Sequence, residues 1–224
     1  MKFYDLHVHV NDPDKIDEIV EMAQRLGFYG IGLTVTTLEE LKKLKETIKK
    51  VNTNIDLITS VEIIASGTRD LKRKVSKFRK MAEVIIVYGG EYNINRIAAE
   101  DERVDIISHP EHKRKDSGID EIIARSAKER NVAIEINFNE ILETYRKIRS
   151  HVFNHMMKNI SICKKHDTMM VISSDAKSHW EMRDPRELSS IGQILGMDLK
   201  ESIDAVSTIP EFIVESNRRK LKNF

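Results

Sequence analysis

"YDLHVHV", residues 4–10 of a 224-residue chain, sets an acid and two imidazoles at alternate positions. Side chains of a strand alternate between its two faces, so Asp5, His7 and His9 share one face while Leu6, Val8 and Val10 share the other. The apolar set is expected to pack beneath helices, which leaves the acid and both imidazoles facing an interior. Further short runs rich in Val, Ile or aromatic residues lie at 29–35, 55–63, 84–88, 104–108, 132–138 and 169–174.

Between these runs, residues 14–27, 37–50, 69–82, 92–101 and 118–131 place apolar residues at helical spacing. Gly27 and Asn131 stand where helix C-caps belong, and Asp12 or Thr37 is placed to open a helix. Strand and helix alternating through about seven cycles imply a parallel sheet with right-handed crossovers, and the fold expected is an α/β barrel of TIM type with about seven parallel strands. No full Gly-rich phosphate loop favours an open doubly wound sheet instead. Residues 139–166 read as a longer helical insertion before the last strand, and 184–222 as a helical C-terminal segment of one domain spanning 1–224.

Functional groups of such a barrel gather where strands end. The tips deliver His7 and His9, Thr34 and Thr36, Glu62, His109, Asn137 and Asp175, and alternation brings Glu135 onto the face of Asn137. Burying Asp5, Glu62, Glu135 and Asp175 together is costly unless cations neutralise them. Two solutions follow: a metal cluster held by imidazole and carboxylate, or basic side chains such as Lys177, Arg96 or Arg69 supplying the counter-charge.

"YDLHVHV" together with "VEI" (61–63), "SHP" (108–110) and "SSDA" (173–176) resembles the polymerase and histidinol phosphatase (PHP) superfamily of metal-dependent phosphoesterases. That resemblance implies metal roles for His7, His9, Glu62, His109 and Asp175. The family places a histidine two residues after the aspartate, where this chain has Lys177, and its histidine after the second strand has no counterpart. A lysine that keeps its proton cannot ligate a metal, so a complete trinuclear site is not expected.

Over essentially its whole length the chain is more closely similar to the archaeal RNase P protein component three family, related to the thirty-kilodalton eukaryotic subunit. "ERVDIISHP", "AIEINFNEIL", "VISSDAKS" and, most specifically, "LGMDLKESIDAVSTIPEFIVESNRRKL" carry this likeness. It implies a PHP-like barrel with a degraded metal site inside the ribonucleoprotein that removes the 5′ leader from precursor tRNA. The RNA subunit cleaves with magnesium, and the protein, itself non-catalytic and without a tightly bound cofactor, supports the RNA's catalytic domain with other protein subunits, including a small heteromeric partner. The alternative is a stand-alone PHP-type phosphoesterase using the five ligands above. Basic side chains bind phosphates and release counterions. The leading RNA-binding candidates are Arg69, Arg73, Arg96, Arg114 and Lys177, followed by Lys72, Lys113, Lys115 and a tail of Arg218, Arg219, Lys220 and Lys222.

Composition fits this reading. Lys and Arg number 37 against 36 Asp and Glu, so net charge singles out no partner. Its distribution is uneven: residues 1–40 hold eight acids and three bases, whereas 69–80 hold seven bases and one acid. The one cysteine, Cys163, excludes an internal disulfide and a Cys-based zinc site. No apolar run approaches the roughly 20 residues of a membrane span, and the expected location is the cytoplasm.

Overall fold

The computed structural model describes residues 1–12 and 15–222. Asp14, at the start of the first helical stretch, and the end of the expected domain at 223–224 lie outside the described residues. Seven strands alternate with helices: β1 (Tyr4–His9), α1 (Ile16–Leu26), β2 (Gly30–Val35), α2 (Leu38–Ile48), β3 (Asp56–Ile63), α3 (Thr68–Phe78), β4 (Val84–Tyr88), α4 (Tyr92–Glu100), β5 (Ile106–Ser108), α5 (Glu121–Arg130) and β6 (Ala133–Asn137). Two helices, α6 (Phe138–Glu143) and α7 (Arg146–Lys165), then lead to β7 (Met170–Ser173), and α8 (Pro185–Ile194), α9 (Leu199–Asp204) and α10 (Thr208–Leu221) follow. The strands are parallel and pair in chain order. A single bridge between Val8 and Ala176 joins the first and last strands into a nearly closed barrel. The expected seven-stranded barrel is the observed fold.

Local chemistry sets the element ends. Gly27 (φ 81°) and Asn131 (φ 57°) terminate α1 and α5 in the left-handed conformation. Thr37 opens α2 through a capping box with Glu40, but α1 begins at Ile16 with Lys15 at its N-cap, so Asp12 does not open it. Strand β5 is shorter than expected because the Asp105 carboxylate, 2.7 Å away, takes the backbone N–H of Ile85 in place of a longer ladder.

The strict alternation read from the first strand is corrected by the structure. Its pairing with β2 shifts register between Asp5 and Val8, and this irregularity re-aims the side chains. Tyr4 and Leu6 therefore belong to the core inside the barrel, with Ile58, Val84, Ile86 and Val171, while Val8 and Val10 join the outer core beneath the helices. Gly32 makes the close approach possible, since a Cβ there would sit 2.2 Å from the Leu6 carbonyl oxygen. Asp5 lies at the seam instead of in the lumen: its carboxylate accepts the backbone N–H of Ser174 on the far side and that of His7.

The bottom of the barrel is plugged by α10, whose Ile213 and Val214 enter the inner core. Arg218 forks onto Asp56 at 2.7 and 2.8 Å and reaches Glu83 at 2.6 Å. Asn217 donates to Asp105, which also pairs with the buried Arg79. Arg218, a candidate from the basic tail, thus locks the terminal helix to the barrel floor, its guanidinium held by two carboxylates.

A candidate metal centre in a protein-lined barrel mouth

Strand tips carry the functional side chains to the C-terminal mouth, with the apolar inner core beneath them. His7 is fully buried. Its Nδ1 lies 3.0 Å from Glu135 Oε1, while its Nε2 lies 3.3 Å from Asp175 Oδ1 and 3.6 Å from Glu62 Oε1. His9 Nε2 lies 2.7 Å from the same Asp175 oxygen, and His109 Nε2 lies 3.3 Å from the other. All five residues expected to ligate metal are therefore brought together. Glu62 also accepts from Ser108, and Asn137 donates to Glu135 and lies 3.2 Å from His109.

The basic side chains anticipated as counter-charge do not reach the lumen. Lys177 turns outward to pair with Glu143 at 2.6 Å, and Arg96 pairs with Glu100 along α4. The His7 and His109 rings supply positive charge themselves. Burial opposes protonation of His7, but Glu135, Asp175 and Glu62 outweigh it and lift the ring to about 10. Burial likewise works against His109, which Asp175 and Glu140 hold well above its ordinary value. Asp175 in turn sits well below the usual carboxylate range: burial works against this, and His7, His109 and His9 prevail. At the seam, burial raises Asp5 to about 6, only partly offset by its bonds from Ser174 and His7.

The donor set fits a divalent cation. His7 Nε2 is buried without a hydrogen-bond partner, and one ligand atom from each of His7, His9 and Glu62 lies within 4.8 Å of the others. Glu135 on Nδ1 orients the His7 ring, as a carboxylate does behind many metal-bound imidazoles. His179 is not among the residues whose ligand atoms gather with those of His7 and His9, and its Nδ1 lies 3.1 Å from Glu18 of α1. Trp180 is 74% exposed and tilts against the His179 ring at 4.5 Å.

Three participants went unassigned in the sequence reading. Glu140 lies 2.8 Å from His109 Nδ1 and 3.6 Å from His112 Nδ1, and Tyr88 stacks on the His109 ring at 4.6 Å. The signal for Glu140 was present: it stands three residues after Asn137, whose side chain caps α6 by accepting the Glu140 N–H. His109 and Asp175 both adopt positive φ, 48° and 52°, a left-handed conformation that His and Asp enter more readily than most side chains.

Of the RNA-binding candidates, Arg73 pairs with Asp70, Arg114 with Asp116, and Arg96 and Lys177 as above. Arg69 lies exposed beside Arg73 at the start of α3.

Seven parallel strands with an imidazole–carboxylate cluster at their C-terminal mouth define a PHP-like barrel protein. A histidinol phosphate phosphatase structure from Lactococcus lactis shares this fold, with a TM-score of 0.59 at 15% identity over 90% of this chain and 94% of that one. The profile of the RNase P subunit p30 family matches residues 2–222, and the chain belongs to that family. Ribonuclease P protein component 3 of Methanosarcina barkeri is 32% identical over 219 residues, covering 97% of this chain and 90% of the relative. A chain in a cryo-EM structure of archaeal ribonuclease P with mature tRNA superposes with a TM-score of 0.83 at 26% identity, over 98% of this chain and 93% of that one.

Proposed function

We propose that this protein is a subunit of ribonuclease P, the ribonucleoprotein that removes the 5′ leader from precursor tRNA in the cytoplasm. In this reading the RNA subunit cleaves with magnesium. The chain supports the RNA's catalytic domain beside other protein subunits, one of them a small heteromeric partner. The observation that carries the proposal is the family match from residue 2 to residue 222, and likeness to a chain of an assembled archaeal ribonuclease P supports it. Isolating the native complex through a tag on this chain and sequencing the RNA that travels with it is the test. Recovery of the RNase P RNA is expected. Free protein in the extract, with tRNA processing intact after its removal, would overturn the proposal.

The unpartnered Nε2 of His7 favours a second reading, a metal-dependent phosphoesterase with His7, His9, Glu62, His109 and Asp175 as the ligand set. A metal held by these residues would supply Lewis-acid chemistry for phosphoester hydrolysis. The lysine at position 177 weighs against a full hydrolytic cluster, because its ammonium group is engaged by Glu143 at the rim. Manganese-stimulated phosphatase activity with about one tightly bound metal per chain would establish this reading. A residual structural metal is compatible with the first.

A further inference from the structure

The helix α7 has a composition unlike the rest of the chain. Its 20 residues, "RKIRSHVFNHMMKNISICKK", contain six bases and no acid, although Asp and Glu number 36 in the 224-residue sequence. Its first turns stand beside the β5–α5 loop, which carries Lys113 and Lys115. Asn159 fastens the two together by donating to the Ser117 carbonyl at 2.9 Å. Between them lies a cavity of about 600 Å³ with Ile148 and Val152 on its apolar wall and His112, His151 and His155 around it.

Five cations on this face, Lys113, Lys115, Arg146, Lys147 and Arg149, form no ion pair with a described residue. That separates them from Arg73, Arg96, Arg114 and Lys177, each already held by a carboxylate. Of the acids nearby, Asp116 is occupied by Arg114, Glu143 by Lys177 and Glu140 by His109, Glu91 accepts from Asn93 at the head of α4, and Glu111 is buried. Tyr145 is 66% exposed at the head of α7.

Backbone conformation gives a second, independent sign. Lys113 (φ 56°) and Arg146 (φ 51°) are held in the left-handed region. Of the other non-glycine residues so held, His109 and Asp175 belong to the site, and Asn131 and Asp167 are types that tolerate it. Two long cationic residues are thus held in a costly backbone conformation, Lys113 in the lining of the cavity and Arg146 at the start of α7.

We infer that this face, formed by the 111–115 loop and the first turns of α7, docks an unpaired segment of RNA. Phosphates meet the five cations that have no carboxylate partner, of which Arg149 donates to the Thr144 carbonyl, and bases stack on Tyr145 or enter the cavity against Ile148 and Val152. Free cations release counterions when phosphate arrives, whereas cations already paired must first give up a carboxylate. An aromatic ring among them stacks on a base of any identity. The inference rests on the reading of the protein as an RNase P subunit and deepens it by naming the contact surface.

The test uses the full chain and a fluorescein-labelled unstructured RNA of about 12 nucleotides, a length that one such groove accommodates. Replacing Lys113, Lys115 and Lys147 together by Gln is expected to weaken binding at least about tenfold at low salt and to flatten the log–log salt slope by about two. Tyr145→Ala is expected to weaken binding about tenfold with the slope unchanged. Replacing Lys42, Lys43 and Lys45 on α2 by Gln is the control and should leave binding near wild type. Circular dichroism confirms that every variant is folded.

Equal effects from the two triple variants, or no binding by the wild type, would overturn the inference. So would a face variant that keeps its RNA affinity but loses a protein partner in pull-downs, since the face would then be a protein interface. Pull-downs from native extract separate the two levels. If wild type and face variant both recover the RNase P RNA, the subunit reading stands and the inference fails. If the wild type binds the oligonucleotide through this face but recovers no RNase P RNA, the inference holds and the subunit reading fails.

Discussion

The Nδ1 of His7 lies 3.0 Å from Oε1 of Glu135, and this contact decides which ring nitrogen faces the cluster. With Nδ1 committed to the carboxylate, Nε2 is the atom aimed toward Glu62 and Asp175. Glu135→Gln removes the charge that orients and polarises the ring. Manganese affinity, measured by calorimetry on protein first stripped with chelator, is expected to fall about 10–100-fold. An unchanged affinity in the variant would show that Glu135 does not act through His7.

Glu111 gives a pH dependence whose sign can be stated. Burial raises its carboxyl from 4.5 to about 7. The folded state therefore keeps a proton that the unfolded chain releases, and stability declines as pH rises through the window from about 4.5 to 7. Glu111→Gln cannot release that proton. Relative to the variant, the wild type is expected to lose on the order of 3 kcal/mol between pH 4 and pH 8. Urea unfolding of both proteins across that range is the measurement, and parallel profiles would refute the assignment.

Gly32 is expected to be intolerant of a side chain. A Cβ there would approach the Leu6 carbonyl oxygen to 2.2 Å and Ser60 Oγ to 2.6 Å, where β1 shifts register against β2. Gly32→Ala should cost about 1–3 kcal/mol through overpacking. Gly67→Ala meets nothing within 4 Å and serves as the neutral comparison in thermal unfolding.

These positions also mark what a sequence can and cannot reveal. Alternation of strand and helix is local, so the barrel and the residues at its tips were legible, down to caps such as Thr37 and Asn131. The register shift that turns Leu6 inward was not, because it depends on how β1 meets β2 and on the space at Gly32. Nor was the fate of each cation. Arg218 is separated from Asp56 by 162 residues and Lys177 from Glu143 by 34, and only the folded chain shows which bases are already engaged. The candidate ligands were readable because they lie in or just after the C-terminal half of a strand. Glu140, one turn into α6, required the helix to be placed first.

Arg218 and Lys177 are both ion-paired bases, yet their removal should have different consequences. Arg218 bridges Asp56 and Glu83 through three charged hydrogen bonds on the half-buried barrel floor and ties down the helix that plugs it. Arg218→Ala strands two partly buried carboxylates and is expected to cost about 1–3 kcal/mol. The Lys177–Glu143 pair joins side chains 46% and 56% exposed. Its loss should change stability by less than about 1 kcal/mol. If Lys177 nonetheless meets phosphate after leaving Glu143, Lys177→Ala reduces the salt slope of RNA binding by just under one, whereas Arg218→Ala leaves that slope untouched. Chemical denaturation and a salt titration on the same two variants test the distinction. A large stability loss in Lys177→Ala would place its ammonium group inside the charge balance of the lumen instead of at the rim.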